Sequence, residues 1–184
     1  MRDYWVRDLS LAGLGRRRIE WARNFMPVLS KVIERFEREK PLKGLRIGAC
    51  LHITTETAIL VEAFRKGGAE VSICASNPMS TQDDVAAALA EDGVRIYGFR
   101  GQSIREYYQC IGYVLGFEPQ ITIDDGADLI STIHKLYYGV RSEELDYVLE
   151  VVGSLDVRRL VEGIIGGCEE TTTGVLRLKA MARD

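Results

Sequence analysis

The sequence lacks the features that mark membrane, secreted and nucleic-acid-binding proteins. No apolar run in the 184 residues approaches a membrane span, and the opening MRDYWVRDLS has no apolar core of the signal-peptide type. The four cysteines lie far apart without a CxxC, which argues against a zinc site or a disulfide framework. A net charge of −3 gives no electrostatic reason to bind nucleic acid. These absences predict a cytoplasmic protein that binds neither membranes nor nucleic acid.

Several short catalytic motifs are also missing. The chain contains no GxGxxG or GxxxxGK[ST], so it has no recognisable dinucleotide or P-loop phosphate cradle. The absence of GxSxG weakens a serine-hydrolase interpretation. The absence of HExxH and of paired Cys/His spacings leaves no support for a metal site.

What the sequence does contain is a globular composition, 46% hydrophobic and 28% charged. Apolar residues at helical spacing predict a long amphipathic segment over about 9–39. Pro27 falls inside this segment and should kink it or divide it into two helices.

From about 44 to 138, short apolar runs alternate with helical patterns. This alternation predicts a parallel sheet with helices on both faces, in a doubly wound α/β fold of Rossmann-like or flavodoxin-like type. The predicted strands are LRIGACL, EVSICA, VRIYGF and QITIDDG. Two further helices are predicted as an appended insert over about 142–166, and a last helix over about 169–183. We therefore expect a single α/β domain over residues 1–184.

Polar residues follow three of the predicted strands directly. Because the carboxyl ends of parallel strands meet at one edge of a sheet, we expect these residues to converge there. Histidine and aspartate are the usual proton-transfer groups, and hydroxyl and carboxylate groups suit a ligand such as a nucleoside. The residues are His52, Thr54, Thr55 and Glu56 after the first strand, Ser76, Asn77, Ser80, Thr81, Gln82 and Asp83 after the second, and Asp124, Asp125 and Asp128 after the fourth.

Each of these groups also has a purely structural interpretation. Thr54 or Thr81 can serve as a helix N-cap, and an acidic residue such as Glu56 is favoured near the positive end of a helix. Asp124 or Asp125 before Gly126 can belong to an ordinary turn. His52 can be a core histidine with satisfied hydrogen bonds. Their occurrence together is what favours a site.

Five blocks of the sequence, taken in order, resemble one enzyme family. The blocks PLKGLRIGACLHITTETAILVEAFRKGGAEV, SNPMSTQDDVAAAL, EYYQCI, DDGADL and EETTTGVLRLKAM are similar to the amino-terminal part of S-adenosylhomocysteine hydrolase. The resemblance implies reversible cleavage of S-adenosylhomocysteine to adenosine and homocysteine. In that family a tightly held NAD⁺ oxidises the ribose 3′-hydroxyl, homocysteine is eliminated, and water adds. It also implies a homotetramer.

The resemblance assigns roles residue by residue. His52 and Asp125 match the catalytic pair near the 5′ side of the nucleoside, and Asp125 also belongs to the substrate-binding set. The other implied substrate-binding residues are Thr54 and Glu56 at the adenine edge, Glu170 at a ribose hydroxyl, and Asn77, Ser80 and Gln82 in a second tier. Thr171, Thr172 and Thr173 match threonines that contact the NAD.

The sequence also departs from the family pattern. Pro78 and Met79 stand where the family often has bulky apolar residues, and the segment 142–165 is longer than in the vertebrate enzymes. The family continues with an NDSVTK-like segment and a Rossmann domain, neither of which is in this sequence. We therefore expect a substrate-binding portion that is inactive alone. The alternative is a stand-alone nucleoside-binding protein, or a subunit that pairs with a separate NAD-binding chain.

Overall fold

The protein folds around one six-stranded sheet in which every strand pair is parallel. The structure is a computed structural model that describes residues 2–183. The strands are β1 (Tyr4–Trp5), β2 (Arg46–Leu51), β3 (Glu70–Ala75), β4 (Arg95–Tyr97), β5 (Ile121–Asp124) and β6 (Gly166–Glu169). Their order across the sheet is β1-β4-β3-β2-β5-β6. The predicted doubly wound α/β fold is confirmed.

Helices cover both faces of this sheet. They are α1 (Ala12–Arg23), α2 (Pro27–Glu39), α3 (Thr55–Lys66), α4 (Asp83–Glu91), α5 (Ile104–Leu115), α6 (Asp128–Tyr137), α7 (Glu143–Val152), α8 (Val157–Gly163) and α9 (Thr172–Met181). Pro27 is the first residue of α2, where its missing N–H costs no helical hydrogen bond, so it divides the amino-terminal segment as predicted. None of the helices between residues 2 and 183 is long and apolar enough to cross a membrane.

The central strands are apolar on both faces because both faces are buried. Along β2, Ile47, Ala49 and Leu51 pack into a core with α3 and α4. Cys50, on the opposite face, packs into a second core with α5 and α6. The alternating faces of one strand therefore contribute to two separate cores.

The strand order is of the Rossmann type rather than the flavodoxin type. From β2 the chain moves to β3 and then β4 on one side, and α5 then carries it back to β5 on the other side of β2. The direction of winding thus reverses between β2 and β5. Open α/β sheets bind ligands at the carboxyl ends of the strands beside this reversal.

Two expectations about the carboxyl-terminal part were wrong. Residue 166, expected at the end of the insert, and residue 169, expected at the start of the last helix, both belong to β6, and α9 begins at Thr172. Pairing with β5, from Ile121↔Gly166 to Asp124↔Glu169, overrides the weak strand propensity of two glycines.

The predicted helices of the insert do form, as α7 and α8, and α7 packs against α5. A Cβ on Gly112 would lie 2.4 Å from Val151 Cγ2, so glycine permits this close packing.

Candidate functional site

The carboxyl ends of β2 and β5 carry the two side chains that form the centre of the site. Nε2 of His52, which follows β2, lies 2.7 Å from Oδ2 of Asp125, which follows β5. The backbone N–H of Asp125 donates to the carbonyl of Cys50 at 3.0 Å, so strand pairing brings the two residues together. The His52 side chain is 40% exposed and that of Asp125 13% exposed. The pair is therefore accessible from the edge of the sheet.

Two serines complete the hydrogen bonding of this pair. Ser76 donates its hydroxyl to Asp125 Oδ2 at 3.0 Å. Ser80 Oγ contacts Nδ1 of His52 and also lies 3.1 Å from the carbonyl of Asn77. If the Ser80 hydroxyl donates to that carbonyl, both imidazole nitrogens donate, and the ring is the imidazolium. If the hydroxyl donates to Nδ1, the ring is neutral. Rotation of one hydroxyl therefore accommodates both protonation states, as a general acid/base requires.

Asp124, next to Asp125, has a structural role. Its carboxylate accepts the backbone N–H of Leu129 at 3.0 Å and that of Ile130 at 2.8 Å, which caps the first turn of α6. Burial raises the pKa of Asp124 to about 6, against the effect of these two hydrogen bonds. The turn interpretation thus applies to Asp124, whereas Asp125 faces the site.

Glu169 at the end of β6 holds the loop that carries Asp125. One carboxylate oxygen accepts the N–H groups of Gly126 and Thr171, each at 2.9 Å, and the other accepts that of Ala127 at 2.8 Å. The loop needs this support because Ala127 has a φ of 61°, a left-handed conformation that is unfavourable for a residue with a Cβ. A Cβ on Gly174 would lie 2.2 Å from Glu169 Cδ, so only glycine lets α9 approach this carboxylate.

Arg177 of α9 fixes the same loop from its other side. Its Nη1 donates to the carbonyl of Gly126 at 2.9 Å and to Asp128 Oδ1 at 2.6 Å. The hydroxyl of Tyr107 donates to Asp128 Oδ2 at 2.8 Å. Arg177, Tyr107 and the role of Glu169 were not predicted from the sequence. The only local signal was the pair of adjacent acids at 169–170, which resembles the pair at 124–125.

Glu170 directly follows β6. Its backbone N–H donates to the carbonyl of Asp124 at 3.0 Å. Partial removal from water and the negative charge of Asp125 raise the pKa of Glu170, while His52 opposes that shift. The carboxylate therefore interacts with both members of the central pair.

The three threonines after Glu170 begin α9. Thr171 is the N-cap, and the side chains of Thr172 and Thr173 are exposed. Within residues 2–183 none of the three hydroxyl groups makes a hydrogen bond. Three free hydroxyls thus lie at the positive end of a helix, beside Glu170.

Thr54 and Glu56 stand where β2 leads into α3. Thr54 is the N-cap of α3, and its Oγ1 accepts the N–H of Thr57 at 3.4 Å, so the capping interpretation applies to it. Glu56 is exposed in the first turn, where Thr55 donates to its Oε2 at 3.0 Å. Its own backbone N–H is the largest of the effects that lower the pKa of Glu56. Glu56 therefore presents an ionised acceptor.

The loop between β3 and α4 holds the remaining predicted residues. Asn77 Oδ1 accepts the N–H of Met79 at 2.8 Å. Gln82 Oε1 accepts a hydrogen bond from Arg18 of α1 at 2.9 Å. Ser80 alone of the three predicted residues contacts the central pair. In the described part of the chain no three His, Cys, Asp or Glu side chains converge as metal ligands.

The fold is that of an α/β protein with a Rossmann-type sheet, and a histidine–aspartate pair stands at its winding reversal, where open α/β sheets bind small ligands. The sequence profile of S-adenosyl-L-homocysteine hydrolase matches residues 3–184. The chain belongs to this family.

Curated relatives agree with that assignment. The chain is 57% identical to the adenosylhomocysteinase of Pyrobaculum aerophilum, over 97% of its own length and 41% of the relative's. It is 51% identical to that of Aquifex aeolicus, over 98% and 38%. It is 47% identical to the S-inosyl-L-homocysteine hydrolase of Methanocaldococcus jannaschii, over 98% and 39%. The chain thus spans about two-fifths of the length of these relatives.

Proposed function

We propose that this chain forms the nucleoside-binding part of an enzyme that reversibly cleaves S-adenosylhomocysteine to adenosine and homocysteine. The observation that carries this proposal is the contact between His52 and Asp125 at the winding reversal, 2.7 Å long, in a chain matched by the family over residues 3–184. The relatives named adenosylhomocysteinase support the choice of reaction.

His52 is the acid/base of this proposal. It exchanges a proton with the departing sulfur and with the entering water on the 5′ side of the nucleoside. Asp125 orients the imidazole and stabilises its charged form, as a carboxylate partner does for a general base. The hydrogen bond from Ser76 to Asp125 and the contact between Ser80 and His52 support this, because both protonation states of the ring keep partners.

The other predicted residues bind the nucleoside. Thr54 and Glu56 bind the adenine edge, since an ionised carboxylate accepts a hydrogen bond from an exocyclic amine. Glu170 binds a ribose hydroxyl, and its proximity to Asp125 and His52 supports this role. Asn77, Ser80 and Gln82 support the pocket wall from the second tier.

The proposed cofactor is NAD⁺. The free hydroxyls of Thr171, Thr172 and Thr173 at the start of α9 suit its polar groups, and these residues would hold it. When bound, NAD⁺ supplies the reversible oxidation of the ribose 3′-hydroxyl. The chain's own residues orient the sugar and move the protons. A homotetramer and a cytoplasmic location belong to the same proposal.

A second candidate substrate is S-inosyl-L-homocysteine. A relative 47% identical to this chain is named for that activity. Glu56 permits either base, because the N1–H of hypoxanthine and the amine of adenine both donate to a carboxylate. We prefer S-adenosylhomocysteine as the substrate because the relative that is 57% identical is named adenosylhomocysteinase.

Calorimetric titration of the chain with adenosine and with 5′-deoxyadenosine tests the proposal. The wild type should bind adenosine more tightly, because His52 and Asp125 contact the 5′ oxygen. His52→Ala should lose this difference and keep a cooperative thermal transition. His134→Ala, which removes the other histidine, is the control and should behave as the wild type. Failure of the wild type to bind adenosine, or discrimination that survives in His52→Ala, would overturn the proposal.

A further inference from the structure

An ion pair between α1 and α4 lies beside the candidate site. Nη1 of Arg18 donates to both carboxylate oxygens of Asp84, each at 2.8 Å. The Asp84 side chain is only 9% exposed, so its charge needs this partner. The helices can come this close because Gly15 has no Cβ, which would lie 1.9 Å from the carbonyl oxygen of Asp84. Arg18 is therefore held against the first turn of α4.

The other branch of the same guanidinium holds Gln82. Nη2 of Arg18 donates to Gln82 Oε1 at 2.9 Å. Because a guanidinium can only donate, the amide oxygen rather than the amide nitrogen must face it. Nε2, on the other branch of the planar amide, bonds to no acceptor among residues 2–183. Arg18 thus leaves Gln82 with a hydrogen-bond donor whose orientation is fixed.

This donor stands between the central pair and the start of α3. The backbone N–H of Gln82 donates to the carbonyl of Ile53, at the end of β2, at 3.0 Å. Ser80, two residues earlier, contacts the imidazole of the central pair. The backbone N–H of Glu56 is the largest cause of its lowered pKa, and the positive charge of Arg18 contributes less. The guanidinium therefore lies within electrostatic reach of Glu56 as well.

We propose that Arg18 is a positioning residue for base recognition: it fixes the Gln82 amide so that Nε2 donates to the purine, beside the acceptor that Glu56 presents. An ionised carboxylate next to a fixed amide nitrogen recognises a donor and an acceptor side by side on the base. This assignment rests on the proposed function, which supplies the purine nucleoside and places Glu56 at its edge. It gives Gln82 a direct contact with the base in addition to its place in the pocket wall.

Both candidate bases carry this pattern. Adenine has its amine between N1 and N7, which are acceptors, and hypoxanthine has N1–H beside O6. A donor fixed at Gln82 therefore serves either base. An amide turned by 180° would instead set Oε1 against the acceptor of the base, and that hydrogen bond would be lost. Arg18 thus controls recognition of the acceptor, and Glu56 recognition of the donor.

Calorimetric titration with adenosine analogues tests the two contacts separately. 1-Deazaadenosine and 7-deazaadenosine each replace one ring nitrogen near the amine by C–H, and purine riboside lacks the amine. The wild type should bind adenosine about fivefold more tightly than one of the deaza analogues, as expected for one neutral hydrogen bond. Arg18→Met should reduce this preference to less than about twofold, since the released amide also adopts the turned orientation. The preference for adenosine over purine riboside, which depends on Glu56, should remain.

A double-mutant cycle shows whether Arg18 acts through Gln82. Gln82→Leu alone should remove the ring-nitrogen preference, and adding Arg18→Met should change that preference no further. If Arg18→Met lacks a cooperative thermal transition, Arg18→Met combined with Asp84→Asn is titrated in its place. The combined variant leaves no unpaired buried carboxylate, and the same loss of preference is expected.

Arg16→Met is the matched control. Arg16 also joins α1 to α4, through Glu91 and Asp92 at the other end of that helix, so its loss should keep both preferences.

The outcomes separate this role from the proposed function. A ring-nitrogen preference that survives in Arg18→Met, or loss of both preferences there, would overturn the role of Arg18. So would a wild type that distinguishes adenosine from 5′-deoxyadenosine but not from either deaza analogue, and this result would keep the proposed function. A preference that depends on Arg18, in a chain that ignores the 5′ oxygen, would keep the role of Arg18 and overturn that of His52. A wild type that binds no adenosine would overturn both.

Discussion

Two neighbouring acids end β5, and two end β6, yet the members of each pair have different surroundings. Asp124 and Glu169, which are register partners in the sheet, together accept five backbone N–H groups. Asp125 contacts His52, and the charges of Asp125 and His52 both act on the pKa of Glu170. The first acids, Asp124 and Glu169, hold the loop by hydrogen bonds to its backbone, and we call them the supporting layer. The second acids, Asp125 and Glu170, form the outer layer. Proximity in sequence therefore says little about role where side chains alternate between two faces.

The largest expected difference between the supporting layer and the outer layer is in how the free energy of unfolding depends on pH. Because the folded-state pKa of Asp124, about 6, lies above its ordinary value of 3.8, the folded protein holds this proton more tightly. Stability from Asp124 is therefore fully present below pH 3.8 and is lost as the pH rises through 6, by about 3 kcal/mol. Asp124→Asn should flatten this part of the curve of unfolding free energy against pH, measured by urea denaturation. An unchanged slope would contradict the assigned burial.

Glu169→Gln tests the loop support directly. The amide places an NH₂ group against a backbone N–H, so the free energy of unfolding should fall by about 2 kcal/mol. Glu170→Gln is the matched neighbour and should change it by less than about 0.5 kcal/mol. Both are measured as shifts in the urea midpoint at constant slope. Equal effects at the two positions would remove the distinction between the layers.

Gly174→Ala examines the close approach of α9 to Glu169. The new methyl group would displace the carboxylate, and we expect a loss of about 1 to 2 kcal/mol in thermal or urea unfolding. Gly13→Ala in α1 is the control, because its Cβ would meet only the end of Arg17, at 4.0 Å. That substitution should be neutral or stabilising, since alanine favours helix. A neutral Gly174→Ala would show that Glu169 can move without cost.

The smallest expected effect concerns the outer layer alone. Asp125→Asn removes a negative charge that raises the pKa of Glu170, so that pKa should fall. Titration of the Glu170 side-chain carbon by NMR measures the change. A rise, or no change, would mean that the two carboxylates do not face the same space.

Much of the fold could be predicted because its signals are local. The apolar runs of β2 and β3, the glycines after α3 and the proline at α2 depend only on nearby residues. β6 could not be predicted in this way, because Gly166 and Gly167 have low strand propensity and form a strand only by pairing with β5. The expected convergence of polar residues holds for His52, Asp125 and Ser80. Gln82 is instead bound by Arg18, from a helix far away in the sequence.

The sequence by itself determined the order of β2 to β5 and of the helices between them, the family, and the residue types available at the strand ends. Only the tertiary structure decided which acid of each pair supports the loop, and how Glu169, Gly174 and Arg177 hold Asp125 against His52. The physical reason is that hydrophobic periodicity is a property of neighbouring residues. The hydrogen bonds that fix the site instead join segments separated by some 40 to 50 residues, and form only when β5, β6 and α9 are packed together.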